Sequence, residues 1–377
     1  MSDYHARAKA DQAKRLREHL RELPPICADF FLSIEQTTSP LTRLSYAYDL
    51  KLFFHYVTRE LTKFSRKAVI DLTLDDLNRL TKRDLEFYAR YLSVYSKEST
   101  NAQTGVTKSV EVVNHEYGIK RKYAALRAFF KFLFAEGYIE QDYAALVAMP
   151  KLHERAIIRL DVDEVARILD LAESGDSLPK NCQKYHKITQ KRDLALLSLF
   201  LGTGIRVSEC VGLDLEDFDF EQNAFVVTRK GGKEVILYLS DEVAAALLDY
   251  LEEREHIEPF PGHESAFFLS IQRKRISQRA VENMVKKYAR IAAPLKKKIS
   301  PHKLRSTFGT NLYRETGDIY LVADVLGHSD VNTTRKHYAA IAEDRRRLAA
   351  QRTVLRDDSS DRVHRPLSEK HPANKDE

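Results

Sequence analysis

Cysteine is scarce in this sequence, and long apolar runs are missing. Three cysteines, Cys27, Cys182 and Cys210, occur with no paired spacing. That excludes a disulfide framework and a cysteine-based zinc site, and leaves each thiol as a small, indifferent side chain. No apolar stretch approaches the ~20 residues needed to cross a bilayer. The N-terminal stretch MSDYHARAKADQAKRLREHL is charged throughout, so it cannot supply the apolar centre of a secretory signal. A cytoplasmic location is the expectation. There is no Walker loop, no convincing carboxylate cluster for magnesium and no internal repeat.

What is present is enough chain for two compact domains, 377 residues with 43% hydrophobic and 31% charged content. The net charge of +6 says less than its distribution. Between Arg273 and Arg305 there are twelve Lys or Arg against one acid, Glu282. Such a run is the electrostatic footprint expected where a protein meets a phosphate backbone, although a solvated helix face can look the same. The cations expected to face DNA are Arg121, Lys122, Lys274, Lys296, Lys297, Lys298 and Lys303.

Periodicity predicts a polar helix over residues 1–22 that ends near Pro24-Pro25. A second helix follows Ser39-Pro40 and carries Leu44, Tyr48, Leu52, Phe53, Tyr56 and Val57. A third runs from Leu74 to about Tyr95, and a polar loop spans Lys97 to Lys108. A fourth helix carries Tyr123, Leu126, Phe129, Phe130 and Leu133, and is closed by Gly137. Residues 23–148 are thus expected to form an all-helical domain, with 149–159 as a linker. Asp161 and Glu164 have capping-box spacing, 173–191 reads as an inserted polar loop, and Leu194 to Gly202 as a buried helix. Two β-prone runs, 225–227 and 235–238, flank Arg229-Lys230-Gly231-Gly232-Lys233 and predict a hairpin. Helical periodicity then dominates from Val243 to about residue 350, and 351–377 reads as a disordered tail.

Phosphate chemistry without a metal needs fixed cations, a proton donor and a nucleophile, and the planar fork of arginine matches two phosphate oxygens at once. Arg206 follows a glycine turn in TGIRVSE (203–209), with Glu209 placed to orient it. Lys230 lies on the hairpin turn as a candidate acid, and Lys233 competes with it. Ser300-Pro301 marks a helix start with serine as cap, which puts His302 and Arg305 on one face at the positive end. Gly327 suggests a helix end that presents His328, and Tyr338 follows ten residues later. A phenol with pKa ~10 is a reasonable phosphoryl nucleophile beside cations. Yet 18 tyrosines are present, and composition singles out none of them.

Together TGIRVSE, RKGGKE (229–234), HKLR (302–305), LGH (326–328) and Tyr338 resemble the tyrosine recombinase (phage integrase) family over residues ~160–345. SYAYDLKLFFHYV (45–57) and RKYAALRAFFKFLFAEGYI (121–139) also look like that family's helical core-binding domain. The resemblance implies a mainly α fold with a small antiparallel sheet. An all-α, SAM-like core DNA-binding domain would be followed by an α+β catalytic domain at 160–350. It implies that Tyr338 attacks the scissile phosphate to form a 3′-phosphotyrosyl link and that Lys230 protonates the leaving 5′-oxygen. Arg206 and Arg305 would clamp the non-bridging oxygens, His302 and His328 would assist, Glu209 would support, and no metal or nucleotide cofactor would be required. It also implies a C-shaped clamp on duplex recombination sites, four protomers acting on two sites through a Holliday junction, and an exchanged helix following Tyr338. A DNA translocase or accessory factor is a further implied partner.

Within the family the chain is most similar to Xer-type recombinases, the XerS group, which implies chromosome dimer resolution. Two departures keep the integrase of a phage or an integrative conjugative element as the alternative. The ten-residue step from His328 to Tyr338 is one longer than in many Xer proteins and puts His337 in the usual tyrosine register, and Ser306 replaces a common second histidine. A type IB topoisomerase and a non-catalytic DNA-binding protein are weaker alternatives, the first opposed by the separate N-terminal domain and the second by the full set of catalytic residue types.

Overall fold

The computed structural model describes residues 3–100, 105–153, 158–229, 231–296, 298–328 and 331. The chain divides into two compact units, one comprising residues 1–156 together with 230–232 and the other 157–229 and the chain from 233 onward. No helix among the described residues is long and apolar enough to cross a membrane.

The first unit comprises α1 (Asp3–Leu20), α2 (Ile26–Ser33), α3 (Pro40–Glu60), α4 (Leu74–Asn78), α5 (Lys82–Tyr91), β1 (Val94–Thr100), β2 (Thr107–Val113), α6 (Glu116–Ala135) and α7 (Tyr143–Leu146). Ser39 caps α3 by accepting from the Thr42 N–H, and Pro40 occupies the first turn, as the sequence predicts. The core is aromatic. Phe30 meets Phe129 edge-on at 5.4 Å and Phe53 meets Tyr88 at 5.0 Å, all four rings being buried.

Two sequence expectations fail here, for local reasons. The single helix from Leu74 to about Tyr95 is two helices, because Thr73 with Asp76 and Thr81 with Asp84 form successive capping boxes. The second box begins a new helix only a few residues after the first. The stretch expected as a loop is instead part of an antiparallel hairpin, with Val94 opposite Val113 and Thr100 opposite Thr107. The turn-side halves of both strands, Lys97–Thr100 and Thr107–Ser109, are polar and give no apolar alternation in sequence, so the unit is a helical core with one hairpin added rather than all-helical.

The second unit holds α8 (Val162–Ser174), α9 (Lys180–Thr203), α10 (Val207–Cys210), β3 (Phe218–Asp219), β4 (Ala224–Thr228), β5 (Glu234–Tyr238), α11 (Asp241–Glu255), α12 (Gln278–Ala292), α13 (Pro301–Thr316) and α14 (Ile319–Leu326). The strands form one antiparallel sheet in the order β3-β4-β5, with Thr228 paired to Glu234 across the turn. The Asp161–Glu164 capping box at α8 is present, in agreement with its spacing.

The polar segment expected as a loop to residue 191 is helical from Lys180, forming the first half of α9. Lys180, Lys184 and Lys187 along it stay exposed, and just beyond it charge is drawn inward. The buried Asp193 accepts from Thr189, Arg192, Lys287 and the Tyr288 hydroxyl, which knits α9 to α12. Further along α9, Leu196, Leu197, Leu199 and Phe200 are fully buried, so the helix is the unit's spine and its end fixes the turn at Gly204.

Candidate active site

The site grows from the end of that spine. Gly204 closes α9 in the left-handed region, φ 63°, and a Cβ there would lie 2.5 Å from Phe308 and 2.9 Å from Leu326. Only glycine fits so tight a turn, which brings Arg206 to the start of α10. The buried carboxylate of Glu209 accepts from the Arg206 main-chain N–H at 2.9 Å and from its Nη1 at 2.7 Å. Arg206 Nη2 donates to the Gly327 carbonyl at 3.0 Å, on a side chain that is 35% exposed.

Arg305 approaches from the second turn of α13. It is buried, with Nη1 donating to the Gly204 carbonyl at 2.5 Å and Nη2 to the Leu326 carbonyl. The turn at Gly204 and the end of α14 are therefore joined by one guanidinium. His302 is exposed one turn earlier on the same helix, and its carbonyl accepts from the Ser306 hydroxyl. The helix starts at Pro301 as expected, but the Ser300 side chain makes no capping hydrogen bond. Its main-chain carbonyl, which accepts from Lys303 and Leu304 N–H, carries the start of the helix instead.

Gly327 ends α14 at φ 60°, and the bonds Gly327 N–H to Asp324 and His328 N–H to Ala323 turn the chain so that the half-buried His328 follows directly. The last carbonyls of a helix have no partners within it and carry its negative partial charge. Here guanidiniums satisfy them in succession. Arg229 donates to Asp324 (3.2 Å) and Val325 (2.6 Å), Arg305 to Leu326, and Arg206 to Gly327. Sequence reasoning did not single out Arg229. Its signal is a cation beside a glycine-rich turn, which by itself indicates nothing more than a solvated turn. Burial lowers the Arg229 pKa from its ordinary value; Glu209 opposes that shift and Arg206 adds to it.

Arg206, Arg305, Glu209 and His328 are thus gathered around one helix end, with His302 on the helix that supplies Arg305. Lys230, Tyr338, Lys297, the helix expected after Tyr338 and the tail from 351 lie outside the described residues. Lys233 is exposed, and its carbonyl accepts from the Arg229 N–H at 2.8 Å, which closes the hairpin. The cations expected to face DNA divide into two groups. Arg121 grips Asp49 with both Nη atoms at 2.9 Å and Lys122 lies 3.6 Å from the same carboxylate. Lys296 is paired with Asp161 and Glu164. Lys274 stands over the Phe260 ring at 4.3 Å, Lys298 is exposed at φ 68°, and Lys303 is half-buried near the start of α13.

A cluster of guanidiniums held on neutral carbonyls is suited to binding a phosphate, and the comparisons with known proteins agree in kind. The phage integrase family matches residues 159–345. Tyrosine recombinase XerC of Caldanaerobacter subterraneus subsp. tengcongensis is 32% identical over 83% of this chain and 82% of its own length. Tyrosine recombinase XerS of Streptococcus equi subsp. zooepidemicus is 30% identical over 85% of this chain and 93% of its own. Among solved structures, the XerH site-specific recombinase bound to a palindromic difH substrate shares the fold, with a TM-score of 0.58 and 19% identity over 83% of this chain and 80% of that one. The chain belongs to the phage integrase family and is a tyrosine recombinase most like the Xer types.

Proposed function

We propose that this protein cuts and rejoins duplex DNA at a specific site by way of a covalent bond to Tyr338. The observation that carries this reading is the convergence of Arg206 and Arg305 on the Gly204 turn and the end of α14. Each guanidinium is fixed before substrate arrives, so little reorganisation is left for the reaction itself. On this reading the Tyr338 oxygen bonds to phosphorus, the P–O5′ bond breaks, and the departing oxygen takes a proton from Lys230, with Lys233 as the competing donor. Arg206 and Arg305 neutralise the non-bridging oxygens, Glu209 holds Arg206 in place, and His302 and His328 handle the tyrosine proton and the developing charge. The bond energy stays in the 3′-phosphotyrosyl link, so a 5′-hydroxyl from a partner duplex reverses the step and produces a Holliday junction.

Residues 23–148 would grip the DNA behind the N-terminal helix of 1–22, and 160–350 would carry the chemistry after the linker at 149–159. Four protomers would act on two sites. The Xer relatives support a role in resolving chromosome dimers. The ten-residue step to Tyr338 favours integration of a mobile element as the second reading. A dif-like palindrome beside the gene separates the two.

A nicked suicide substrate tests the chemistry. Wild-type protein should accumulate a covalent adduct, and Tyr338→Phe should bind the same DNA and form none. An adduct that persists in Tyr338→Phe overturns the nucleophile assignment and moves attention to His337 or another tyrosine.

A further inference from the structure

Arg229, directly after β4, is an unusual choice of side chain. Its guanidinium is half-buried, it lies close enough to Arg206 for the two charges to repel, and its Nε is buried with no acceptor among the described residues. Each of these disfavours arginine on grounds of stability. In return it holds a helix end. Its planar fork spans two successive carbonyls of α14, Asp324 at 3.2 Å and Val325 at 2.6 Å. The next two carbonyls go to the other guanidiniums, Leu326 to Arg305 and Gly327 to Arg206. Gly327 also packs on Arg229 itself. A Cβ there would lie 2.6 Å from Arg229 Cζ and 2.9 Å from its Nε, so the guanidinium fills the space that the missing side chain leaves.

Arg206 is steered from two sides. Glu209 takes its Nη1 at 2.7 Å, and the Gly327 carbonyl takes its Nη2 at 3.0 Å. We propose that Arg229 is a positioning residue for Arg206: it fixes the end of α14, and with it the Gly327 carbonyl that aims the Arg206 guanidinium at the phosphate. This rests on the reading of Arg206 as the cation that meets a non-bridging oxygen. Charge builds on those oxygens as the Tyr338 oxygen bonds to phosphorus and the P–O5′ bond breaks. A guanidinium held in place beforehand stabilises that charge without reorganising, and one displaced by about an ångström loses much of the effect. A residue that only braced the fold would impair every substrate alike. One that acts through Arg206 should matter when the phosphate carries its charge, and little when it does not.

Replacing one non-bridging oxygen of the scissile phosphate by a methyl group makes that distinction, because a methylphosphonate is neutral. Single-turnover cleavage by the full-length protein is measured on matched phosphodiester and methylphosphonate suicide substrates. DNA affinity and melting temperature are recorded for each variant, so that rates are compared on bound DNA and folded protein. Arg229→Gln should cleave the phosphodiester about 10-fold more slowly than wild type, a fraction of the roughly 10²–10³-fold cost of losing one preorganised donor outright. On the methylphosphonate it should be within about threefold of wild type on the same substrate, because the charge that Arg206 meets has been removed. Arg229→Lys, which keeps the charge and loses the fork, should show the same pattern more weakly.

Arg206→Ala should be the slower variant on the phosphodiester and should recover on the methylphosphonate as well. Arg254→Gln is the control for bracing alone. Arg254 is buried and donates to the carbonyls of Ile257, Glu264 and Ala266, none of them on α14, so its loss should change both rates by the same factor. If Arg229 variants are equally slow on both substrates while Arg206→Ala recovers, the positioning role is wrong and the clamp reading of Arg206 stands. If Arg206→Ala does not recover, the clamp reading itself fails. Recovery of Arg254→Gln to the same degree as Arg229→Gln would also overturn the positioning role, since substrate charge would then report any loosening of the fold.

Discussion

Two sets of cations in this protein are held in different ways. In one, within the first unit, Arg121 and Lys122 meet the buried carboxylate of Asp49, Lys63 meets Asp84 at 2.6 Å, and Lys67 meets Asp76 at 2.5 Å. There charge answers charge. Around α14 of the second unit, Arg206, Arg229 and Arg305 donate mainly to main-chain carbonyls, with Glu209 supplying a carboxylate to Arg206. A carbonyl fixes a guanidinium without cancelling its formal charge. Pre-oriented yet still cationic, such a cluster attracts an anion in a way that a set of ion pairs does not.

The sharpest way to break this comparison is to remove one arginine of each kind. Arg305→Ala should slow DNA cleavage by about 10²–10³-fold, the range for losing one preorganised donor to a developing anion. It should also destabilise the second unit by roughly 1–3 kcal/mol, since the Gly204 and Leu326 carbonyls lose their partner. Arg121→Ala removes a side chain that is 53% exposed, so it should cost about 1 kcal/mol or less and leave the cleavage step on bound DNA unchanged. Single-turnover cleavage and urea unfolding of both variants measure this. An Arg121 effect on the chemical step as large as that of Arg305 would erase the distinction.

A second contrast concerns the buried carboxylates. Burial alone would raise the pKa of both. At Asp193 the cations Arg192 and Lys287 prevail and hold it below the ordinary value, whereas at Asp49 burial prevails over Arg121 and Lys122 and the pKa is raised. The signs of their pH dependence therefore oppose. Asp193 contributes stability that is fully present above the unfolded-state pKa of about 3.9 and is lost as pH falls from there through its lower folded value. For Asp49 the folded state holds the proton longer, so its contribution falls as pH rises from about 3.9 through the raised value.

Asp193→Asn should cost about 3–5 kcal/mol at neutral pH, because it removes a fully buried carboxylate and leaves two half-buried cations, Arg192 and Lys287, uncompensated. That cost should shrink in acid. Asp49→Asn should cost about 1 kcal/mol or less at neutral pH, where its partner Arg121 is largely solvated, and more in acid. Unfolding midpoints between pH 3 and 7 give both slopes, and slopes of the same sign would refute the contrast.

Much of the site was legible because glycine and arginine announce special backbone and special chemistry. Gly204 and Gly327 mark helix ends, and the sequence places Arg206 and His328 just beyond them. Glu209 could be assigned to Arg206 from helical spacing alone. Arg229 was not legible, since its meaning depends on a helix end 95 residues away, at Asp324. The hairpin at Val94–Val113 was hidden for a different reason. Its turn-side halves, Lys97–Thr100 and Thr107–Ser109, are polar, and the exposed Val110 and Val113 have no buried face to mark a strand. The helical start of α9 was obscured by its polar, largely exposed residues, because nothing local shows that they lead into the buried run from Asp193 onward.

The smallest predicted effect bears on the lysine run before α13. By charge alone Lys296 and Lys298 are equivalent, and each would be expected to contribute one phosphate contact. Lys296, however, already answers the capping carboxylates Asp161 and Glu164, which ties the start of α8 to this loop, while Lys298 is exposed. Lys298→Gln should weaken DNA binding and reduce the slope of log affinity against log salt by about 1. Lys296→Gln should leave that slope nearly unchanged and instead loosen the start of α8, read by faster amide exchange at its first turn. Equal losses of slope in the two variants would mean that DNA draws Lys296 away from its carboxylates. The run would then act as a single patch, and the second unit would use ion-paired cations for binding after all.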